Sequence, residues 1–467
     1  MRPGLAPDYA LTVRMARRPA RLICLPMTDR DRYLSRPLPV PARRFGRMAR
    51  LGGLTGGLMG RAALAGAGEL ARGRRPAFDR LMLTPANAAR VTAELARMRG
   101  AAMKLGQLIS MEAGEILTPE LADILASLRS EAHAMPPPQL KRVLSDNWGA
   151  DFLRRFRRFD VTPIAAASIG QVHRAETRDG TALAIKVQYP GIRDSIDSDI
   201  ANLGAIIRWS GMVPRGLDLA PLLEDARAQL HEEADYAQEA RAMTRFADLL
   251  ADEAAFAVPR PHEAFSTRDI LAMDYLSGVP IEDLAGAAQE VRDGAGARLI
   301  GLVLRELFEF RLMQTDPNFA NYRWDAESGR IVLLDFGATR AFPETLVADF
   351  RAMLRAGLAG DRDGIRAAAM RIGYLSDDLS EARIATLLDM MQMCFVPLAE
   401  ESPFDFADSD LPQRLTEAAI AFGRERDIAP VPPTDALFLQ RKVAGLYLLC
   451  ARIGARVALR PLVAPYA

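Results

Sequence analysis

Two short, closely spaced runs limit what this chain can fold into more than any other feature. The first, Gln314–Asn321, places an aspartate five positions before an asparagine. The second, Ile331–Gly337, ends an apolar stretch with Asp-Phe-Gly. A kinase uses one carboxylate to orient the attacking hydroxyl, and an asparagine with a second carboxylate to hold metal ions. Either run alone is weak evidence for such a site, but the two together, in this order and at this spacing, predict a kinase-like site.

A lysine upstream supplies a third part of the same site. Leu183–Val187 reads as a buried strand that carries Lys186 near its end. Lysine is rare in this chain, which otherwise uses arginine among its 60 basic residues. The lysines are Lys104, Lys141, Lys186 and Lys442. A compact ammonium on a thin stem can reach a phosphate from inside a strand, where a guanidinium would not fit. We therefore predict that Lys186 contacts the phosphates of a nucleotide.

Length and pattern predict four segments in the 467 residues. They are a basic, glycine-containing segment at 1–77, a helical extension at 78–150, a small lobe with a helical insertion at 151–280, and a helical lobe at 281–467. A glycine turn at Asp179-Gly180 predicts a hairpin whose second strand carries Lys186. A hinge-like strand is predicted at Asp269–Tyr275. The order favours an α+β, two-lobed, protein-kinase-like fold with a mostly antiparallel small lobe and a helical second lobe.

Composition excludes several other classes. Cys24, Cys394 and Cys450 show no paired spacing, which argues against a disulfide framework or a cysteine zinc site. The four histidines are isolated in sequence, so a histidine metal centre is not expected. No run of eighteen uninterrupted apolar residues appears, and we predict no transmembrane helix. Few aromatic residues interleave the arginines of the basic segment, which argues against nucleic acid as its partner.

The N-terminal segment leaves two questions open. Leu51–Gly68 has glycines at every fourth position, a spacing that lets helices approach closely in lipid. Such glycine content makes a poor helix in water, so a flexible linker is an equal alternative to a membrane-touching or self-associating segment. The arginine excess predicts an anionic partner surface. Translation could start at Met1 or at Met27, which opens a hydrophilic run.

The loop expected to cover the phosphates departs from the protein-kinase form. It reads Pro163–His173, with Ala165, Ala166 and Ala167 followed by Ser168 where glycines are usual. Glycines in that loop allow close backbone approach to the phosphates and movement. Three alanines add methyl groups and remove freedom, so we expect an altered nucleotide preference.

Four motifs together carry a specific resemblance. They are Ala-Ala-Ala-Ser-Ile-Gly-Gln-Val-His at 165–173, Val-Gln-Tyr-Pro-Gly-Ile at 187–192, Lys-x-Gly-Gln at 104–107 and Gln-Thr-Asp-Pro-Asn at 314–318. The chain resembles the UbiB/AarF family of atypical kinases, and within it the branch that supports ubiquinone biosynthesis in bacteria and mitochondria. The resemblance runs from about residue 80 to the C-terminus, which is most of the chain.

The resemblance implies roles for matching residues. Asp316 would be the catalytic carboxylate, with Asn321 and Asp335 as magnesium ligands and Lys186 paired with Glu239. A motif across the protein-docking side of the cleft would regulate the site, with Glu233 pairing with Lys104. The residues implied for this regulatory motif are Lys104, Gly106, Gln107, Glu233 and Asp235. The residues implied for nucleotide binding are Ala165, Ala166, Ala167, Ser168, Lys186, Met273 and Tyr275.

Two features of the charged residues need structural tests. Glu233 and Glu239 are expected on one helix, nearly two turns apart, where each could serve a different lysine. Without the resemblance, an ordinary solvated helix face would be the better interpretation of these charges. No His-Arg precedes Asp316, where Gln314-Thr315 stands instead. The usual histidine support of the catalytic loop is therefore absent.

The resemblance implies an atypical kinase or ATPase that uses ATP and Mg²⁺. It would serve ubiquinone biosynthesis at the cytoplasmic face of the inner membrane, with protein phosphorylation suppressed by the extension and the alanine loop. Expected partners are an anionic membrane surface, quinone-precursor lipids, other enzymes of the process and a second copy of the chain. Two alternatives stay open: a nucleotide-binding pseudokinase scaffold for a membrane enzyme assembly, and a small-molecule phosphotransferase.

Overall fold

The computed structural model describes residues 134–210, 220–423 and 432–467, together with Gly100 and Lys104. The first part of the described chain forms a small lobe of strands and four helices. Its elements are, in chain order, α1 (Pro137–Trp148), β1 (Phe156–Phe159), β2 (Ala165–Ala166), β3 (Gly170–Thr177), β4 (Ala182–Gln188), α2 (Ile192–Ser210), α3 (Ala220–Glu233), α4 (Tyr236–Leu249), β5 (Phe256–Ala257) and β6 (Ile270–Asp274).

The small lobe is built on an antiparallel sheet of order β1-β3-β4-β6, with β2 also paired to β3. The β3–β4 hairpin turns at Gly180, whose positive φ of 90° suits a glycine. Val172 lies opposite Lys186 in the hairpin, and Leu271 of β6 lies opposite Lys186 on the other side. The hairpin and the hinge-like strand are therefore present as predicted.

Strand alternation directs Lys186 away from the core. Leu183, Ile185 and Val187 are fully buried and belong to the main hydrophobic core. Successive side chains of a strand point to opposite faces of its sheet. Lys186 therefore leaves the sheet on the face opposite these three residues, which is the face that looks into the cleft between the lobes.

The helical region after β4 differs from the prediction in one respect. Glu233 is the last residue of α3, whereas Glu239 lies in α4. The two glutamates are thus on separate helices, and the expectation of one continuous helix was wrong. The break has a local cause: the Asp235 carboxylate accepts hydrogen bonds from the backbone N–H groups of Ala237 and Gln238 and so starts a new helix.

The second lobe is mostly helical and contains short strands around the cleft. Its elements are, in chain order, β7 (Val279–Pro280), α5 (Gln289–Arg305), β8 (Leu312–Gln314), β9 (Tyr322–Asp325), β10 (Arg330–Leu333), β11 (Thr339–Ala341), α6 (Glu344–Ala359), α7 (Arg362–Ile372), α8 (Glu381–Ala399), β12 (Phe404–Asp405), α9 (Leu411–Gly423), α10 (Thr434–Ile453), β13 (Arg456–Val457) and α11 (Arg460–Val463). The second lobe is helical as predicted, although the short strands β11, β12 and β13, which were not predicted, interrupt its helices after Asp335.

Small sheets place the two runs singled out in the sequence. β9 and β10 form an antiparallel pair, and β10 also pairs in parallel with β5 of the small lobe region. β8 pairs with β11, so that Gln314 lies opposite Thr339. The loop between β8 and β9 carries Asp316 and Asn321, and the segment between β10 and β11 carries Asp335. Asn321 directly precedes β9 and Asp335 closely follows β10, and these two strands are paired there through Tyr322 and Leu333. The two runs are therefore brought side by side.

One helix of the second lobe meets the length and composition of a membrane span. Within the described residues this is α8, with a mean hydropathy of 1.3 and 17% of its window buried. No such helix was predicted. Ile384 and Leu388 of α8 pack in a core cluster with Ile365 of α7, as the core helix of a soluble protein also would. A single helix of this kind is therefore weak evidence for a membrane span.

Candidate active site

Lys186 lies at the centre of a buried charge cluster between the lobes. Its Nζ atom donates to both carboxylate oxygens of Glu239, at 2.8 and 2.9 Å. The same Nζ lies 3.6 Å from Oδ2 of Asp335. The side chain of Glu239 has no exposed surface, and that of Lys186 is 8% exposed. Three residues distant in sequence therefore meet at one point, as the kinase-like interpretation requires.

The pKa shifts follow from this arrangement. Burial alone would lower the pKa of Lys186, but the carboxylates of Asp335 and Glu239 raise it well above its ordinary value. Burial would raise the pKa of Asp335, but the Lys186 ammonium and the Gly337 N–H outweigh it and hold that pKa below its usual range. Lys186 is therefore a cation and Asp335 an anion across the neutral range.

The loop from β8 to β9 presents the second group of polar side chains. Nδ2 of Asn321 donates to Oδ2 of Asp316 at 3.3 Å. The Thr315 hydroxyl and backbone N–H both donate to the carbonyl of Ala338, at 2.8 and 2.9 Å. The residue just before Asp316 is thereby tied to the segment that follows Asp335. Asp316 itself is half-buried.

The oxygen groups of Asn321 and Asp335 fit magnesium. Because Asn321 uses its amide nitrogen to contact Asp316, its amide oxygen is not engaged in that bond. Oδ1 of Asp335 accepts the Gly337 N–H at 2.9 Å, and Oδ2 faces Lys186. No group of three or more His, Cys, Asp or Glu in the described part of the chain is placed to hold a metal ion. Magnesium in phosphate-binding sites commonly uses only one or two protein oxygens together with the phosphates.

The alanine loop forms a tight hairpin turn. Ala165 and Ala166 pair with β3, and the Ala167 N–H donates to the Gly170 carbonyl at 2.8 Å. Gly170 is required at this bend, because a Cβ atom there would lie 2.4 Å from the Val187 carbonyl oxygen. The alanines are thus held in a regular ladder, which limits the motion that glycines would allow.

Ser168 and Lys104 meet on Glu233 beside this turn. The Ser168 hydroxyl donates to Oε2 of Glu233, and Nζ of Lys104 donates to Oε1 at 2.6 Å. Lys104 is 2% exposed. Burial would lower its pKa, but Glu233, Asp316 and Asp335 together raise it. Lys104 therefore pairs with Glu233 as the resemblance implied, and its buried ammonium also interacts electrostatically with Asp316 and Asp335.

Burial and Lys104 have opposite effects on Asp316. Burial raises the pKa of Asp316, and the Lys104 ammonium lowers it, with a net rise above the ordinary value. Lys104 thus stabilises the ionised form of Asp316. Lys186 and Lys104 both act electrostatically on the Asp335 carboxylate, and Lys104 acts on that of Asp316 as well.

The remaining residues singled out in the sequence lie at the edges of the site or outside the described chain. Asp235 caps α4 rather than facing the cleft charges. Met273 is buried in β6 opposite Ala184. Tyr275 follows β6, with the Arg174 guanidinium 4.5 Å from its ring centroid. Gly106 and Gln107 lie outside the described residues.

The segment after Asp-Phe-Gly is short. β11 begins at Thr339, and α6 begins at Glu344. Protein kinases use a longer segment here, whose ordering controls activity. Arg340 in this segment pairs with Glu232 at 2.7 Å and stacks on Phe438, with its guanidinium carbon 4.1 Å from the ring centroid. The segment is therefore fixed to α3 and α10, leaving little chain to form a platform for a protein substrate.

Sequence reasoning missed the contribution of α10. Lys442, which received no role there, is 2% exposed and lies directly under the loop that carries Asp316. Arg340 and Phe438 were likewise not singled out. The scarcity of lysine could have pointed to Lys442, since Lys104 and Lys186, the other two buried lysines of the described chain, both lie in the cleft.

The fold and the site together define a two-lobed, protein-kinase-like protein, and comparisons with known proteins give its family. The model of the ABC1 atypical kinase-like domain matches residues 127–369. The chain belongs to this family of atypical kinase-like proteins. The predicted resemblance to the UbiB/AarF atypical kinases is thereby confirmed.

Individual relatives cover most of the chain. Atypical kinase COQ8, mitochondrial, of Saccharomyces cerevisiae is 37% identical over 422 residues, covering 90% of this chain and 83% of that protein. Atypical kinase COQ8B, mitochondrial, of Rattus norvegicus is 36% identical over 435 residues, covering 92% of this chain and 81% of that protein. The solved structure of Rv3197 of Mycobacterium tuberculosis, in complex with erythromycin, has a TM-score of 0.57 at 24% identity, covering 80% of this chain and 94% of that chain. This last likeness supports the predicted fold.

Proposed function

We propose that this chain is an atypical kinase that binds ATP with magnesium and hydrolyses it. The observation that carries the proposal is the convergence of Lys186, Glu239 and Asp335, with Nζ of Lys186 within 3.6 Å of both carboxylates. An ammonium held between two carboxylates is positioned to bind phosphate oxygens without further ordering. Membership in an atypical kinase-like family supports the same reaction class.

Each residue of the site has a proposed role in this chemistry. Lys186, fixed by Glu239, binds phosphate oxygens. Asp316 orients the attacking hydroxyl or water, and Asn321 and Asp335 supply oxygen ligands to the metal ion. Magnesium, when bound, neutralises phosphate charge as the bond to the terminal phosphate breaks. The alanine loop, with Ser168 at its turn, and Met273 and Tyr275 near the hinge are proposed to line the nucleotide.

Two structural features favour ATP hydrolysis over protein phosphorylation. Lys104 enters the cleft beside Asp316 and pairs with Glu233. The segment after Asp-Phe-Gly is short and fixed by Arg340. Both features reduce the space in which the hydroxyl of a protein substrate could approach Asp316. A small or lipid-associated acceptor, or water, fits this restriction better.

The process that the chain serves is proposed from its relatives. The similar yeast and rat proteins are named mitochondrial atypical kinases of the COQ8 type. The resemblance stated from the sequence motifs connects this branch with ubiquinone biosynthesis. We infer that the chain supports this process at the cytoplasmic face of the inner membrane, where the arginine-rich residues 1–77 would contact anionic lipid. Enzymes of the same process and quinone precursors are the proposed partners.

One observation also favours a nucleotide-dependent scaffold. The Lys104 ammonium lies near Asp316 and Asp335, where it competes with a metal ion for the same carboxylates. A chain held in this state would bind nucleotide and change partners without turnover. Measuring ATP hydrolysis with vesicles of anionic lipid present separates the two functions, because only the enzyme releases phosphate.

The deciding experiment uses Asp335→Asn in a strain that lacks the gene for this chain. We expect the wild type to restore ubiquinone and Asp335→Asn to fail, because the neutral amide can no longer balance Lys186 or bind metal strongly. The matched control is Asp252→Asn, a change at an exposed aspartate in a turn. Restoration by Asp335→Asn, measured in the quinone profile, would remove the enzymatic interpretation.

A further inference from the structure

A third lysine–glutamate pair, buried on both sides, lies beneath the catalytic loop in the second lobe. Nζ of Lys442 donates to Oε1 of Gln314 at 2.8 Å and to the Tyr322 hydroxyl at 2.7 Å. Oε2 of Glu306 lies 3.8 Å from the same Nζ. Lys442 and Glu306 are 2% and 1% exposed. A charged pair this deeply buried is expensive to maintain, which raises the question of what it holds in place.

The contacts of Lys442 bracket the catalytic loop. Gln314 is two residues before Asp316, and Tyr322 directly follows Asn321. One ammonium therefore binds the side chains at both ends of the segment that carries the proposed catalytic carboxylate and one proposed metal ligand. The Glu306 carboxylate also accepts the Gln314 backbone N–H at 3.3 Å, which adds a second tie at the same end.

The helix that carries Lys442 touches the loop a second time. Gly445, almost one turn further along α10, packs against Pro317, the residue after Asp316. A Cβ atom at Gly445 would lie 2.3 Å from Cβ of Pro317. Lys442, Glu306, Asn321 and Asp335 also line one small cavity between the loop and β10. The pair is therefore contiguous with the side chains at which chemistry is proposed.

We propose that Lys442 is a positioning residue for the catalytic loop, with Glu306 as its buried counter-ion. It takes the place of the histidine that is missing from this loop, but it reaches the loop from a helix more than a hundred residues later in the chain. The two hydrogen bonds of Lys442 fix the distance between Gln314 and Tyr322, and with it the relative placement of Asp316 and Asn321. The proposal rests on the proposed ATP hydrolysis for its kinetic test.

The kinetic test compares Lys442→Met with Lys141→Met in the full chain. Lys141 is an exposed lysine of α1 and has no proposed role in nucleotide binding or catalysis. We expect Lys442→Met to lower kcat about tenfold or more while changing KM for Mg-ATP less than about threefold, since Å-scale misplacement of a catalytic group acts on the chemical step. Lys141→Met keeps both values. An unchanged kcat in Lys442→Met would overturn the proposal.

A second variant separates positioning from folding. Lys442→Met leaves Glu306 buried without its partner, which destabilises the fold. The double variant Lys442→Met with Glu306→Gln removes both charges, so the melting temperature is expected to recover toward that of the wild type. If kcat stays low in this double variant, Lys442 positions the loop. If kcat recovers along with the melting temperature, the pair is only structural and the proposal fails.

A third measurement does not depend on turnover. Amide hydrogen exchange of peptides that span 314–322 reports the opening of the loop directly. We expect faster exchange there in the double variant and unchanged exchange at 182–188 of β4. A wild type that hydrolyses no ATP would remove the proposed function, yet the exchange result would still decide the positioning of the loop. Equal exchange at 314–322 in wild type and double variant would refute it.

Discussion

Two lysine–glutamate pairs flank the cleft, and they differ in how completely they are enclosed. The Lys186–Glu239 pair has two hydrogen bonds, at 2.8 and 2.9 Å, and Glu239 has no exposed side-chain surface. The Lys104–Glu233 pair has one, and the Glu233 side chain is 15% exposed and shared with Ser168. The first pair joins β4 to α4 within the small lobe. The second, the edge pair, joins Lys104 to Glu233 at the end of α3, where the glutamate keeps partial contact with solvent.

This difference shows how the same chemical pair can serve two purposes. Separating a fully enclosed pair leaves a buried charge, so the contact between Lys186 and Glu239 is expensive to break. In the second pair Lys104 is buried as well, but Glu233 is 15% exposed, so opening this pair leaves one of the two charges in contact with water and costs less. The Lys186 pair therefore fits a permanent part of the site, and the Lys104 pair fits a contact that can open. The break in the helix at Asp235 lets the two glutamates face different lysines.

The largest effect is expected from breaking the enclosed pair. Lys186→Met leaves Glu239 and Asp335 without their cation, so phosphate binding and metal placement both suffer. We expect turnover of ATP to fall about 100-fold or more, comparable to the loss of a preorganised transition-state contact. The measurement is phosphate release at saturating Mg-ATP. Lys141→Met serves as the control, and activity within threefold of wild type in Lys186→Met would contradict the central role of this pair.

A smaller effect is expected from breaking the edge pair. Lys104→Met should cost about 3 kcal/mol of stability, the low end for breaking a buried pair, because Glu233 keeps its contact with Ser168 and some solvent. Since the Lys104 ammonium lowers the pKa of Asp316, its removal raises that pKa further. The acid limb of the pH–rate profile should therefore move to higher pH, while turnover at pH 8 persists.

The control for this variant lies in the same profile. Lys141→Met removes a lysine without touching the cleft, and its acid limb should coincide with that of the wild type. A profile for Lys104→Met that does not shift would show that Lys104 does not act on Asp316. Complete loss of turnover at pH 8 would show that the Lys104 pair is as necessary for catalysis as the Lys186 pair, which would contradict the distinction drawn between them.

The extension is also anchored away from the cleft, and this anchor is expected to respond to acid. The Met135 N–H donates to Gln171, whose amide contacts the buried His173. Burial lowers the pKa of His173 to about 4. The unfolded chain then binds more protons than the folded one between about pH 6.5 and 4, so stability falls as pH drops through that range. Between pH 7 and 5 this group should cost about 2 kcal/mol.

Urea unfolding at pH 7 and pH 5 tests this expected loss of stability. His173→Asn cannot take up the proton, so its loss of stability between the two pH values should be smaller than that of the wild type by about 2 kcal/mol. The control is His231→Asn, a change at an exposed histidine of α3. Equal losses of stability for wild type and His173→Asn would show that the contact of Met135 with Gln171 and His173 does not respond to acid.

Local patterns predicted the hairpin that carries Lys186, whereas both lysine–glutamate pairings were implied by the family resemblance. The Lys186 hairpin follows from alternation and one glycine turn, both of which are readable within twenty residues. The helix break between Glu233 and Glu239 was missed, although an aspartate at a helix start is a readable capping signal. Lys442 could not be placed, because its contacts with Gln314 and Tyr322 depend on how α10 packs beneath the loop. Contacts between residues more than a hundred positions apart cannot be read from local patterns, even when the residue, like lysine here, is rare in the chain.

The smallest effect is expected at the alanine loop, which is followed by Ser168 and its contact with Glu233. Replacing Ala165, Ala166 or Ala167 by glycine should cost about 0.5–1 kcal/mol each, because glycine loses more freedom on entering the hairpin. The added motion should change the ratio of ATP to ADP affinity, measured by titration of each nucleotide. Ala367→Gly in α7 is a control of similar propensity cost away from the cleft. If all three loop variants keep the wild-type ratio of affinities, the alanines do not select the nucleotide. The contact of Ser168 and Lys104 with Glu233 would then be the remaining feature that restricts this side of the cleft.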